Sequence, residues 1–191
     1  MKGETMTETD IANLALGAIG KGTIHTMDDD NDMARTIKHS YDHIRQILLQ
    51  EYPWSFAQRR ETLDLLAETI PGWAYSYIYP AHALHIERVM AGHWAVMNGD
   101  LHTKVICTDT PAAWCDYVYD VKDPDVFSAL FIEAFYHRLA AEMAIPMGGN
   151  DSLYTMQYQL YQAAVAMART KSAQEMTVAL CQDSSYVRAR R

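Results

Sequence analysis

Two helical stretches, an all-β block and two more helical stretches follow one another along this chain. That order predicts a mainly α, α+β protein: an antiparallel four-helix bundle with a small antiparallel β insertion between helices 2 and 3, and an extended C-terminal tail. Three observations carry the prediction. Apolar residues recur at three- and four-residue spacing before residue 53 and after residue 123. Between them the period shortens to aromatic and β-branched runs punctuated by Gly and Pro. The last residues have no core-forming pattern. The expected organisation is therefore 1–58 for helices 1 and 2, 59–122 for the β insertion, 123–182 for helices 3 and 4, and 183–191 for the tail.

The first helix is expected over Glu8 to Ile19, where Ile11, Leu14, Ala15, Ala18 and Ile19 share a face. Thr7 is its candidate N-cap with Asp10 three residues on, close to a capping box, and Gly20 is its stop. The acidic knot of Asp28, Asp29, Asp30 and Asp32 opens a longer second helix. Carboxylates there suit the free N–H groups and the helix dipole. Its stripe is Met33, Ile37, Tyr41, Ile44 and Leu48, and Pro53 ends it. A strand is expected from about Arg59, then runs at 74–79, 84–90, 93–97, 101–107 and 114–121. Asn98-Gly99 between two of these is a strong hairpin signal. Asp123-Pro124 restarts helix, with Phe127, Leu130, Phe131, Ala134, Phe135 and Leu139 as a wide stripe ending at Pro146-Met147-Gly148-Gly149. A last long helix, capped by Asp151 or Ser152, runs to about Leu180. It carries two apolar rows: Leu153, Met156, Leu160, Ala164 and Met167, and beside them Tyr154, Tyr158, Tyr161 and Val165. A helix apolar over that width must meet more than one neighbour.

Composition bounds the function classes. With 191 residues, 49% of them apolar, the chain can bury a core without staples. The first ten residues are polar and lack the apolar segment of a secretory signal, so none is expected. No apolar run reaches membrane-spanning length. Three cysteines, Cys107, Cys115 and Cys181, share no metal-type spacing and are expected to be reduced thiols. A net charge of −8 argues against a nucleic-acid clamp, which needs a basic face. Arg188, Arg190 and Arg191 set the C-terminus apart from that acidic body.

No constellation for catalysis or metal binding is found. His39 and His43 lie one turn apart on a helix, but no Glu follows the first and no third ligand is evident. His82 and His85 are three apart in an extended run, which points them to opposite faces. The acidic knot fails as a calcium loop: Met33 stands where the turn glycine belongs and His39 where the bidentate Glu belongs. Gly148-Gly149 has neither the spacing nor the Lys of a phosphate loop. The expectation is a non-enzyme with no cofactor and no metal. The chain also carries 11 Met and 12 Tyr, many on its last two helices. Core filling explains much of this, and the surplus suits a subunit interface.

Four stretches carry a family resemblance: A-N-L-A-L-G-A-I-G (12–20), Y-D-H-I-R-Q-I-L-L-Q-E-Y-P-W-S-F-A (41–57), G-W-A-Y-S-Y-I-Y-P-A-H-A-L-H-I-E-R-V (72–89) and F-S-A-L-F-I-E-A-F-Y-H-R-L-A-A-E-M-A (127–144). Together they resemble the tail tubular protein A, or head-to-tail adaptor, family of short-tailed bacteriophages, over nearly the whole chain up to about Gln174. His82 departs from the family pattern, where an acidic residue is expected. The resemblance implies a structural virion protein, assembled in the host cytoplasm and placed in the neck or tail. Its subunits would form a ring, usually of twelve copies, under the portal protein. The C-terminal segment would reach up to the portal and the β part would face the tail nozzle, or tubular protein B. DNA would pass through the channel without specific binding, and no membrane is involved. Two other readings stay open at this point: another neck or tail-completion protein of a long-tailed phage, and a His-based metal-binding protein or enzyme.

Within that reading three groups of residues are candidates. Tyr186 and Val187 would anchor the tail on the portal while Arg188, Arg190 and Arg191 orient it on an acidic rim. Asn98, Gly99 and Asp100 would form a hairpin tip facing the tail. Pro53, Trp54 and Phe56 would form the joint between bundle and insertion. Pro53 forces the chain out of the helix, and in an extended segment alternation puts both rings on one side.

Overall fold

A computed structural model describes residues 5–99 and 103–180, with the side chains of 176–180 excepted. The chain divides into two compact units. One is helical and consists of the residues up to Phe56 together with those from Val121 onward; the other, Ala57–Asp120, is all-β. The division falls at 56/57 and 120/121, against 58/59 and 122/123 in the sequence reading. The proposed tail, 183–191, lies outside the described residues.

This overturns the expected fold class. The β unit takes a third of the chain and folds as two three-stranded antiparallel sheets around a core of its own, so it is not a small insertion into a helical bundle. The physical reason lies in the strand faces. Short strands with apolar inner faces, such as those at 75–78, 83–89, 104–108 and 114–119, need a second layer to cover them, and no helix of this unit supplies one. Local periodicity reports strands, and it is silent on how many sheets they make.

In the helical unit, α1 is Glu8–Ala18, α2 is Asp32–Glu51, α3 is Ala129–Gly148 and α4 is Asp151–Leu180. The centre is α3, which packs against each of the other three helices. Its buried residues, among them Phe131, Phe135, Leu139, Ala140 and Met143, run around much of its circumference, as befits a helix with neighbours on several sides. Four equivalent, square-packed helices would not bury one member this way.

Helix ends follow local chemistry. The Thr7–Asp10 capping box forms, with the Thr7 hydroxyl accepting from the Asp10 N–H at 3.2 Å and the Asp10 carboxylate accepting from the Thr7 N–H at 2.9 Å. In the acidic knot the cap is Asn31, whose side chain accepts from the Ala34 N–H at 2.8 Å. Asp29 instead closes the preceding loop on the His25 and Thr26 N–H groups, and Asp28 pairs with Lys38. Asp123-Pro124 opens only a 3-10 turn, Pro124–Val126, and α3 begins afterwards with Ser128 as its cap. Pro146 lies inside α3. The stop is Gly149, left-handed at φ 56°, whose N–H donates to the Ile145 carbonyl.

The β unit contains β1 Gln58–Thr62, β2 Tyr75–Ile78, β3 Ala83–Val89, β4 Trp94–Asn98, β5 Lys104–Thr108 and β6 Trp114–Tyr119. One sheet has the order β1-β6-β3 and the other β2-β5-β4, all neighbours antiparallel. Tyr77 and Ile106 from the second sheet meet Ile86, Val89, Cys115 and Tyr117 from the first in a single core. Burial pushes the Cys115 thiol up to about 11, so it stays protonated at neutral pH. On the β1-β6-β3 sheet, Asp116 accepts from Arg60 at 2.6 Å and from Arg88 at 2.8 Å, which ties the central strand to both edges.

Candidate functional site

The feature of the helical unit that a monomer leaves unexplained is α4. Its inward row is Gln157, Tyr161, Ala164, Val165, Ala168 and Ser172, all buried and spaced at three, four and one residues along one face. The polar members of that row are matched one by one. The His137 Nδ1–H donates to the Gln157 carbonyl oxygen at 2.7 Å, and the Gln157 amide donates to the Ala18 carbonyl at the end of α1 at 2.9 Å. The Tyr161 hydroxyl donates to the Glu51 carboxylate at 2.6 Å, and Arg169 reaches the same carboxylate at 2.8 Å. Ser172 Oγ accepts from the Ser55 N–H at 2.9 Å. Burial first, and then the Glu51 hydrogen bond, raise the Tyr161 hydroxyl well above the ordinary tyrosine range.

On an outer flank of the helix stand Met156, Leu160, Ala163 and Met167, spaced by four, three and four residues. Met156 is 47% exposed, Leu160 43% and Met167 53%. Single exposed apolar residues are ordinary, whereas a row of them at three- and four-residue spacing makes a continuous apolar stripe. Its surroundings sharpen the point. From Ser152 to Ala168 the sequence contains no Asp, Glu, Lys or Arg, although 21% of the protein is charged. Depletion of charge with enrichment in Met marks the core of protein interfaces.

The two rows read from the sequence therefore mix faces. In the first, Ala164 points in while Met156, Leu160 and Met167 point out. In the second, Tyr161 and Val165 are buried, whereas Tyr154 and Tyr158 are half-buried and stack 5.9 Å apart with Arg138 over Tyr158. The charge-free run was the sequence signal that would have pointed to the outer face.

Pro53, Trp54 and Phe56 all fall in the helical unit, in a turn rather than an extended segment. Trp54 is fully buried, with its indole N–H donating to the Leu48 carbonyl at 2.7 Å. Its ring stacks on Phe56 and meets Phe131 edge-on, and Phe56 packs on Phe127 and Phe131. The two rings thus seal the helical unit where the chain leaves it. Where the chain returns, the buried Arg45 donates to the Val121 carbonyl at 2.7 Å and to Asp42 at 3.0 Å. A charged residue inside an amphipathic stripe was the overlooked sign of that contact.

The β4–β5 hairpin is present, but Asn98 is the last residue of β4 and pairs with Lys104. Gly99 donates to the Thr103 carbonyl, and a side chain there would come within 3.0 Å of Val105, so this glycine provides space and not a left-handed turn. Asp100 lies outside the described residues, as do Tyr186, Val187, Arg188, Arg190 and Arg191.

His39, His43, His82 and His85 are all exposed. Among the described residues no group of three or more His, Cys, Asp or Glu side chains is placed to hold a metal ion. No described helix is long and apolar enough to cross a membrane. The outer face of α4 is the described surface with the composition of a binding face: Met, Leu and Ala in a stretch without charge. Against protein-family models and against curated proteins, the chain has no match.

Proposed function

We propose that this protein is a structural subunit of a bacteriophage virion: a head-to-tail adaptor that forms a ring between the portal protein and the tail nozzle and leaves a channel for DNA. The single observation that supports it most is the outer row of α4, Met156, Leu160, Ala163 and Met167, in a stretch with no charged residue. A ring requires each copy to bind its neighbours through two different surfaces, and this row supplies one of them. The resemblance in the stretches 12–20, 41–57, 72–89 and 127–144 supports the reading as an adaptor. Net acidity suits a channel wall, since every phosphate neutralised by the wall would slow DNA transit.

In this reading the tail docks on the portal through Tyr186, Val187, Arg188, Arg190 and Arg191, and the Asn98–Gly99 end of the β4–β5 hairpin faces the nozzle. Electron microscopy of the protein mixed with its portal tests the proposal. The expected result is a ring, of about twelve copies if it follows the portal's symmetry, capping the portal. Leu160→Glu should leave folded subunits that build no ring. Truncation after Gln182 should leave folded subunits that no longer dock. Failure of the intact protein to associate with the portal would overturn the reading.

A further inference from the structure

The two sheets of the β unit present four edge strands, β1 and β3 on one and β2 and β4 on the other. An open edge is a row of unpaired N–H and C=O groups that invites another strand, and proteins defend such edges in recognisable ways. Three of these four are defended, each differently. Along β1 stand the exposed charges Arg59, Arg60 and Glu61. In β3 the register shifts twice, between Ala83 and His85 and between Ile86 and Arg88, and Glu87 and Arg88 are exposed. Beside β2 the preceding segment is already hydrogen-bonded: Leu66 N–H donates to the Ser76 carbonyl, and Ile78 N–H to the Asp64 carbonyl.

The exception is β4, W-A-V-M-N, which has no charge and no proline. Its pairing with β5 runs without a bulge from Trp94↔Thr108 to Asn98↔Lys104. Among the described residues it has no strand partner other than β5, and no further backbone hydrogen bond involves it. Val96 is 41% exposed and Met97 37%.

We propose that β4 is a strand-pairing site whose occupant is the β4 of a second copy, antiparallel about a two-fold axis through Val96. The strand's own sequence argues for that occupant. The axis sets Val96 opposite Val96, Ala95 opposite Met97 and Trp94 opposite Asn98, so each large side chain meets a smaller one and no like charges meet. The pairing keeps the core-facing side of one sheet level with that of the other, because opposed residues of an antiparallel pair share a face. It also terminates, giving a six-stranded sheet whose outer edges are the covered β2 strands. A five-residue strand buries less than a standard interface, so the pair is weak, with a dissociation constant on the order of 0.1 mM.

This contact uses a different unit and a different symmetry from the ring contact proposed on α4, and it stands or falls independently. The test uses full-length protein carrying Leu160→Glu, so that α4 cannot produce larger species. Sedimentation over about a hundredfold concentration range, bracketing that constant, should show monomer passing to dimer and nothing larger. Adding Val96→Lys should abolish the dimer at every concentration while leaving the unfolding midpoint unchanged. In a Cys181→Ser background, mild oxidation should join Val96→Cys into a disulfide-linked dimer and should not join Ala95→Cys, since the two 95 positions lie diagonally, beyond disulfide reach. Monomer throughout, or equal cross-linking at 95 and 96, overturns the proposal. So does a dimer that survives Val96→Lys, or an edge that takes a strand of the nozzle protein and never its own copy.

Discussion

On its inner face α4 buries Gln157, Tyr161, Ala164, Val165, Ala168 and Ser172, and on its outer face it exposes Met156, Leu160, Ala163 and Met167. The inner face is the more polar of the two. Each of its polar groups has a specific partner on α1, α2, α3 or the Ser55 turn, and its alanines let α4 lie close against α3. The outer face has larger apolar groups that the described residues leave about half exposed. An inner face chosen for fit and hydrogen-bond matching holds the unit in one arrangement. An outer face with apolar area and no charge suits the contact with a neighbouring copy proposed above. Substitutions at neighbouring positions on the two faces should therefore act on different properties.

The largest contrast is expected at adjacent residues 160 and 161. Tyr161→Ala removes a buried ring and strips Glu51 of a donor, and should lower subunit stability by about 3–5 kcal/mol, the range for buried aromatic truncation. Leu160→Ala should change it by no more than about 0.5 kcal/mol, as for other surface positions, while weakening self-association. Urea unfolding of dilute protein, set beside sedimentation at high concentration, reads both. Equal destabilisation by the two variants would break the distinction between the faces.

A smaller contrast is expected at 156 and 157. Gln157→Leu keeps the volume but leaves the buried His137 N–H and the Ala18 carbonyl without their partner, which costs about 1–3 kcal/mol. Met156→Gln, on the exposed side, should stay within about 0.5 kcal/mol. The same unfolding measurement decides it, and a stabilising Gln157→Leu would show that the inner hydrogen bonds are incidental.

Which row of α4 points inward was not legible in its sequence, and the reason is distance along the chain. Tyr161 is chosen as an inner residue by Glu51, 110 positions away, and Gln157 by Ala18, 139 positions away. Periodicity finds apolar rows and cannot rank them when both are apolar. Local chemistry was readable: the Thr7–Asp10 box needs only three residues, and the Gly149 stop only the last turn of α3. The end of α3 falls within the Pro146–Gly149 stop read from the sequence, although Pro146 itself is helical and has no N–H to give to the carbonyl four residues back. The fold class failed at the next level up. Strand runs at 74–79, 84–90 and 114–121 say that strands form, but the closure of two sheets over Tyr77, Ile106, Cys115 and Tyr117 is set by pairing between distant segments. Of the candidate sites, Trp54 and Phe56 were visible as bulky residues in a connector. The outer face of α4 was visible in part, since Met156, Leu160 and Met167 stand in one expected row, and the run without charge is the further sign that sets it apart.

The smallest expected effect isolates one hydroxyl of the inner face. Tyr161→Phe keeps the ring and removes the bond to Glu51, which retains Arg169 as a partner, so at pH 8 the loss should be about 1 kcal/mol. The pH dependence of that loss carries the information. Burial and the Glu51 hydrogen bond raise the folded-state pKa of Tyr161 above its unfolded value of about 10. A raised pKa contributes stability that is complete below the unfolded value and shrinks as pH climbs above it, because the unfolded chain releases the proton first. Tyr41 and Tyr117 are raised as well, so the whole protein weakens in alkali, and only the difference between wild type and Tyr161→Phe reports this residue. That difference, from urea unfolding, should be constant up to about pH 9, then narrow and change sign as the pH passes about 11. A difference that stays constant through pH 11 would mean that the Tyr161 hydroxyl meets water in the folded protein, and that the inner face is not the sealed one.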